Sequence, residues 1–414
     1  MKIELHLLQN FPPSCLNRDD TNSPKDCEFG GVRRARISSQ SLKRALREDF
    51  RKNARVPDEQ RAVRTKRIVE DVAKRVAKAH DTTIEHATMV VSTLLNASGL
   101  TVKSDEESKT EYLLFMPERS LGELASLIAQ NWEQLKTLGL TDKEEKAEEG
   151  KPKKSNKKKK ADAEGAASDA IGKDLARAAV DAIYGTANTP ELALFGRMIA
   201  DRPETNVDAS CQVAHAISTH RVAMEFDYYT AVDDLKPRDN SGADMIGTIA
   251  FNSACFYRYS VLDVEQLARN LAAKTHAELL TSEEKGAAVQ AAKSWLEASF
   301  NAIPSARQNT FAAWTPPELV ITAVRSKGAS LSLANAFAKP IRVDSRDGGD
   351  GLMPASATAL AKHYDEMRKL VDDQATIRVT SAGAMTTPTG SEVVESFPKL
   401  VASIGNDLAT WAGA

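Results

Sequence analysis

Strand-like segments open this chain and return between residues 226 and 324, while residues 66–130 between them carry helical periodicity. That order constrains the fold more than any other feature. It predicts an α+β protein whose sheet draws on distant parts of the chain, with a helical domain inserted into it. Residues 2–8 alternate: Ile3, Leu5 and Leu7 on one side, Lys2, Glu4 and His6 on the other, which predicts a half-buried strand. Residues 226–231 are aromatic and read as extended, 251–264 read as a strand, and 310–314 with 319–324 read as a strand pair. Helices are expected near 171–183, 262–275, 281–298 and 356–372 and over the last twenty residues. Cys211, Val213, Ala214 and Ile217 suggest one more short helix.

Two stretches stand apart from this pattern. Residues 10–31 hold Pro12-Pro13, Asp19-Asp20, Pro24 and Gly30-Gly31 without periodicity, and read as a long functional loop. Residues 143–167 hold paired glutamates and the run Lys157-Lys158-Lys159-Lys160 among Gly and Ala, a composition that predicts a disordered insertion in the helical region. Polar residues 233–245 are expected to protrude as a loop, and 345–352 to form a glycine-rich turn.

The chemistry that is missing narrows the function. No G-x-G-x-x-G, Walker loop, G-x-S-x-G or H-E-x-x-H occurs, and the four cysteines form no C-x-x-C pair. No cofactor and no metal is expected. Asp19-Asp20 and Asp233-Asp234 are the acid pairs worth weighing for magnesium, and turn-forming roles fit them better. No apolar run is long enough to span a membrane, and the N-terminus does not read as a secretory signal, so a cytoplasmic protein is expected.

The balance of 55 basic against 57 acidic residues argues on its face against nucleic acid. Segregation reverses that argument, because residues 33–52 hold eight Lys or Arg and only two acids, Glu48 and Asp49. Ser38 or Ser39 can cap a helix there, with Leu42, Ala45, Leu46 and Phe50 as its buried stripe. Lys43, Arg47 and Arg51 then form a ridge, with Arg44 beside it. Together with Arg18, Lys25, Arg33, Arg34 and Arg36, and with free backbone N–H groups around Ser38 and Gln40, this block suits RNA phosphates. Met198 beside Arg197, and the rings of Phe226, Tyr228 and Tyr229, add side chains able to wedge between bases or stack on them.

The stretch Pro13-Ser14-Cys15-Leu16-Asn17-Arg18-Asp19-Asp20, then Lys25-Asp26, Phe29-Gly30-Gly31 and Arg33-Arg34-Ala35-Arg36-Ile37-Ser38-Ser39-Gln40-Ser41-Leu42-Lys43-Arg44-Ala45, resembles the N-terminus of the CasC family. These are the repeated backbone subunits of the type I-E CRISPR complex Cascade. Further matching patches are Gly196-Arg197-Met198, residues 214–220, 227–235, Phe256-Tyr257-Arg258-Tyr259 and residues 332–337.

The resemblance implies a right-hand shape: an RRM-like (ferredoxin-like) antiparallel palm, helical fingers and a β-hairpin thumb. Mapped onto this chain, residues 1–60, 191–220 and 251–414 would form the palm and C-terminal helices. Residues 61–190 would form the fingers, including the insertion, and 221–250 the thumb. It implies a non-catalytic subunit that stacks head to tail on crRNA and holds it for pairing with target DNA. Its other partners would be the large subunit, the small subunit, the 5′-handle-binding subunit and the crRNA-processing endonuclease. Arg18, Lys25, Lys43 and Arg47 would hold phosphates, Met198 would wedge into the base stack, and Tyr228 and Tyr229 would act at the thumb. The rival expectation is a metal-dependent endoribonuclease using Asp19, Asp20 or Asp233.

Overall fold

The computed structural model describes residues 1–103, 108–137, 171–185, 189–199, 202–231, 245–342 and 351–413. The expected insertion at 143–167, Asp233-Asp234, most of the 233–245 loop and most of the 345–352 turn lie outside the described residues. The chain divides into two units, one of Met1–Arg55, Ser210–Ala268 and Leu279–Ala414, the other of Val56–Ala209 and Arg269–Glu278.

In chain order the strands are β1 (Lys2–Ser14), β2 (Asp26–Phe29), β3 (Val32–Ile37), β4 (Ala62–Thr65), β5 (Leu114–Pro117), β6 (Cys211–Val213), β7 (Ala216–Ser218), β8 (Glu225–Ala231), β9 (Met245–Asp263), β10 (Leu319–Arg325), β11 (Thr376–Ser381) and β12 (Glu392–Val393). The first unit is built on a mixed sheet ordered β12-β11-β10-β1-β9-β7-β3-β2, with β6 and β8 also paired to β9. Only the β11–β12 pair is parallel among these. β9 is the spine. Residues 252–263 pair with β1, from Lys2↔Asp263 to Ser14↔Asn252, while Met245 to Phe251 pair with β8.

β1 is buried on both faces, which corrects the half-buried expectation. Ile3, Leu5 and Leu7 are buried as the alternation predicts, but Glu4 and His6 are fully buried too. The helix Leu352–Val371 covers that second face, placing the Tyr364 ring 5.7 Å from His6. Glu4 is paired there with Arg325 at 3.0 Å, and Arg325 with Asp373 at 2.7 Å. His6 Nδ1 meets the Tyr257 hydroxyl at 2.9 Å. A buried polar face is tolerated when its groups are matched in this way.

Other expectations also change. Within 10–31, the chain continues β1 through a bulge to Ser14 and then forms the β2–β3 hairpin, so only its middle is loop. Gly30 and Gly31 have φ of 63° and 72°, the two-residue turn that positive φ permits. A side chain on Gly30 would strike the Ala338 carbonyl. The 211–217 segment is β6 and β7 rather than a helix, because its few apolar positions pair along β9. Residues 310–314 do not pair with β10: Gln308–Phe311 is a helical turn, ended by Ala312 at φ 47°.

The second unit is mostly helical around Ile68, Val72, Val76, Val90, Leu94, Leu124 and Ile128. Its helices include Ile68–His80, Ile84–Ala97, Ser120–Gln130 and Lys173–Tyr184. It also holds the antiparallel β4–β5 pair, which the helical reading of 66–130 does not anticipate.

Candidate nucleic-acid interface

The helix Ser39–Lys52 begins where β3 ends, and the 15–25 loop is tied to that junction. Ser38 is its N-cap, accepting from Ser41 N at 3.3 Å, and is itself buried. Asn17 makes the tie: its carbonyl accepts from Lys25 N at 2.8 Å and its Oδ1 from Ser38 N at 2.8 Å. The Lys25 carbonyl in turn accepts from Arg36 N at 2.9 Å. Leu42, Ala45, Leu46 and Phe50 face the core, which turns Gln40, Lys43, Arg44 and Arg47 outward to different degrees.

Arg36 donates to His215 Nδ1 at 3.1 Å. Burial, then the charges of Arg36 and Lys25, hold His215 below its ordinary histidine value, so it accepts as a neutral ring. Lys25, Arg36 and His215 are thereby one cluster. Arg44 pairs with Glu48 at 2.8 Å and Arg33 with Asp26 at 2.5 Å, both exposed pairs of small energetic weight. Arg18 is exposed and donates to Asn22 Oδ1 at 3.1 Å.

Two of the expected arginines are spent inside the fold. Arg34 is fully buried and donates to the carbonyls of Phe29 (3.1 Å), Ser218 (3.1 Å) and Phe337 (2.6 Å). It ties β3 to β7 and to the 334–337 turn, so three separated patches of the CasC-like sequence meet on one guanidinium. Arg197, in the second unit, is buried beside Tyr184 and donates to the Thr205 carbonyl at 2.7 Å and the Tyr184 carbonyl at 3.3 Å. Its neighbour Met198 is 87% exposed, so the wedge candidate is free while the arginine beside it holds the backbone.

β8 is exposed at all seven positions. Opposed residues share a face, so Phe226, Tyr228 and Thr230 stand with Ala250, Thr248 and Ile246. Phe226, Tyr228 and Ile246 are each more than 60% exposed. Tyr229 faces the other way and its ring lies against Gly247, where a Cβ would collide with it. The two adjacent tyrosines therefore differ: Tyr229 is packed on its own hairpin, and Tyr228 is bare. Trp314 is a further exposed ring, with the Lys52 ammonium 5.8 Å from its centre. No role for it is legible in the sequence, where 310–314 reads as a strand.

Of the candidate acids, Asp19 is used within its own turn. Asp19 Oδ1 accepts from Thr21 N, Thr21 Oγ1 and Ser23 N at 2.8–2.9 Å. Those bonds, the Thr21 side chain first, hold its carboxyl below the ordinary value. Among the described residues no group of three or more His, Cys, Asp or Glu is placed to hold a metal ion.

A family model described as CT1975-like protein matches residues 3–403. The chain belongs to that family. The CasC resemblance of its N-terminal motif and this match describe the same CRISPR Cascade backbone family. The CT1975-like chain is also similar in structure to a chain of a "CRISPR RNA-guided surveillance complex, pre-nicking", with TM-score 0.78 and 26% identity over 99% of this chain and 100% of that one. A chain of a "CRISPR RNA-guided surveillance complex" shares the fold, with TM-score 0.69 and 23% identity over 98% of this chain and 100% of that one. No curated protein matches the CT1975-like chain in sequence. No helix among its described residues is long and apolar enough to cross a membrane.

Proposed function

We propose that this chain is a crRNA-binding backbone subunit of a Cascade-type CRISPR surveillance complex. The family match over nearly its whole length carries the reading. The basic helix supports it physically: base pairing supplies sequence specificity in such complexes, so the protein needs only to hold the guide's backbone. Copies of the chain stack head to tail along the guide, and the other Cascade subunits and target DNA complete the assembly in the cytoplasm.

In finer detail, the sheet unit acts as an RRM-like palm, residues 61–190 of the mostly helical second unit as fingers and the β8–β9 hairpin as thumb. Lys25, Arg36, Gln40, Lys43, Arg44 and Arg47 face guide phosphates, with Arg18 at their edge. Met198 and Tyr228 interrupt the base stack, with Phe226 beside Tyr228. Ser38 and Arg34 support the sheet unit's surface from within and Arg197 holds the backbone beside Met198, because their polar groups are already bonded. The role assigns the chain no chemical step. An endoribonuclease centred on Asp19 is disfavoured by that carboxylate's use in its own turn.

The test is purification of the assembled complex followed by sequencing of the RNA it carries. Repeat-derived guides of uniform register are expected. A complex that assembles and carries no RNA would overturn the proposal.

A further inference from the structure

Three segments of the sheet unit interlock at the turn end of the β2–β3 hairpin. Val222 N donates to the Arg33 carbonyl at 3.0 Å, and Ile341 N to the Thr219 carbonyl at 3.0 Å. His220 and Ile341 form a parallel β-bridge. Arg221 and Arg342 each lie one residue beyond that bridge, on backbones roughly 5 Å apart where they pair. Arg33 and Lys339 flank them, Lys339 following the Ala338 that covers the Gly30 turn. We propose that this basic patch is a second phosphate-binding site for nucleic acid, separate from the ridge of Ser39–Lys52. The proposal rests on the RNA-binding reading above and adds a contact surface to it.

The two sites lie at opposite ends of β3. Arg33 is near its start, and Ser38, the cap of the basic helix, is just past its end. The strand from Arg33 to Ser38 spans roughly 16 Å, too far for one phosphate to touch both sites.

The charge of the patch is uncompensated. Arg221, Lys339 and Arg342 are exposed, and none of them has an ion pair or a side-chain hydrogen bond among the described residues. Asp26 and Glu28 on β2 answer Arg33 instead: Asp26 pairs with it at 2.5 Å, and Glu28 is its cross-strand partner. Cations fixed side by side repel one another, and an anion between them reverses that cost. Paired guanidiniums suit phosphate oxygens, since each presents a planar fork of donors.

The backbone beneath these side chains is set in advance. Cys255 N donates to His220 Nε2 at 3.3 Å, so the ring proton is on Nδ1, which donates to the Arg221 carbonyl at 2.8 Å. Ser218 Oγ donates to the His220 carbonyl at 2.7 Å and accepts from Ala35 N at 3.0 Å. Arg34 donates to the carbonyls of Ser218 and Phe337, which ties the two outer segments together. A ligand then has only side chains to order.

The surroundings suit a nucleic-acid backbone and neither a base nor a protein. No large apolar side chain of residues 28–33, 218–222 or 334–342 is exposed. A stacked base needs a ring, and protein interfaces are anchored by aromatic or apolar groups in pockets. Guide RNA and target DNA offer the same phosphodiester, so the test has an arm for each.

Arg221→Ala/Arg342→Ala is compared with the parent, and Lys339→Ala/Arg342→Ala is a second variant that leaves residues 218–222 unchanged. In one arm, affinity for a defined guide RNA is measured over a series of salt concentrations. In the other, guide-loaded complex is titrated with single-stranded target DNA over the same series. For the strand that the patch holds, the log–log slope should fall in magnitude by about 0.7 per phosphate released, and affinity near physiological salt should fall roughly tenfold. A change in the first arm names the guide, and a change in the second names the target strand. Unchanged slopes in both arms for a folded variant overturn the proposal. Unchanged slopes with loss of subunits from the complex overturn it too, and make the patch a protein contact. A parent chain that binds no guide would instead overturn the RNA-binding reading, and this site with it.

Discussion

Two hairpins of the same sheet are built in opposite ways. In β2–β3 the turn glycine lies under the Ala338 carbonyl, and Arg34 holds the Phe29 carbonyl of its own hairpin and reaches two more, of Ser218 and Phe337, on other segments. In β8–β9 every β8 side chain is exposed, and Phe226, Tyr228 and Ile246 make an uncovered apolar stripe. The first hairpin's polar groups are satisfied by the fold. The second's apolar groups are not, and such a stripe marks a surface that something else covers. Residue type alone does not separate the two roles: Arg33 and Arg34 are neighbours, and one is 69% exposed at its side chain while the other is sealed.

Arg34 should give the largest effect. Arg34→Ala strands the buried Ser218 and Phe337 carbonyls at about 1–3 kcal/mol each, so unfolding in urea should show a loss on the order of 3 kcal/mol. Arg34→Lys should recover little, because one ammonium cannot reproduce the fork. Arg33→Ala should stay within about 0.5 kcal/mol of the parent. Equal losses at the two positions would remove the contrast.

Acid should test the buried face of β1. Desolvation by burial holds His6 below its ordinary value of 6.5, although the nearby Glu4 pulls the other way. Glu4 is itself matched by Arg325, so burial prevails. The unfolded chain therefore binds the proton first. This stabilising contribution is present above pH 6.5 and is lost as pH falls below it. The slope approaches about 1.4 kcal/mol per pH unit for the one proton. His6→Gln should flatten the dependence between pH 6.5 and 5. An unchanged dependence would mean that His6 is not held neutral.

The β8–β9 hairpin should separate stability from binding. Tyr228→Ala should leave stability within about 0.5 kcal/mol and weaken guide binding by roughly 1–3 kcal/mol. Tyr229→Ala removes a ring packed on Gly247, so its cost should appear first in thermal unfolding of the free protein. Reversed phenotypes would place the bare ring at Tyr229.

Much of this architecture is legible in the sequence, and the parts that are not have physical reasons. The basic helix is legible because its apolar stripe and cationic ridge repeat at helical spacing. β10, β8 and most of β9 are legible from β-branched and aromatic runs. The β2–β3 hairpin is hidden because Gly30-Gly31 sits in a turn-rich stretch, although Gly-Gly between extended segments is itself a hairpin signal. Arg34 and Arg197 look like ligand groups because sequence reports charge and not the carbonyls that meet it. Asn17 and His215 have no signal of their own, since their roles come from hydrogen bonds across the chain.

The salt dependence of guide binding tests the central claim most directly, that the outward ridge of Ser39–Lys52 holds RNA phosphates. Affinity for a defined guide RNA is measured across a series of salt concentrations for the parent and for the Lys43→Ala/Arg47→Ala variant. The log–log slope should fall in magnitude by about 0.7 for each single-strand phosphate that the variant no longer neutralises, with the fold unchanged. A slope identical to the parent's would contradict the account and leave the ridge as an ordinary solvated helix face.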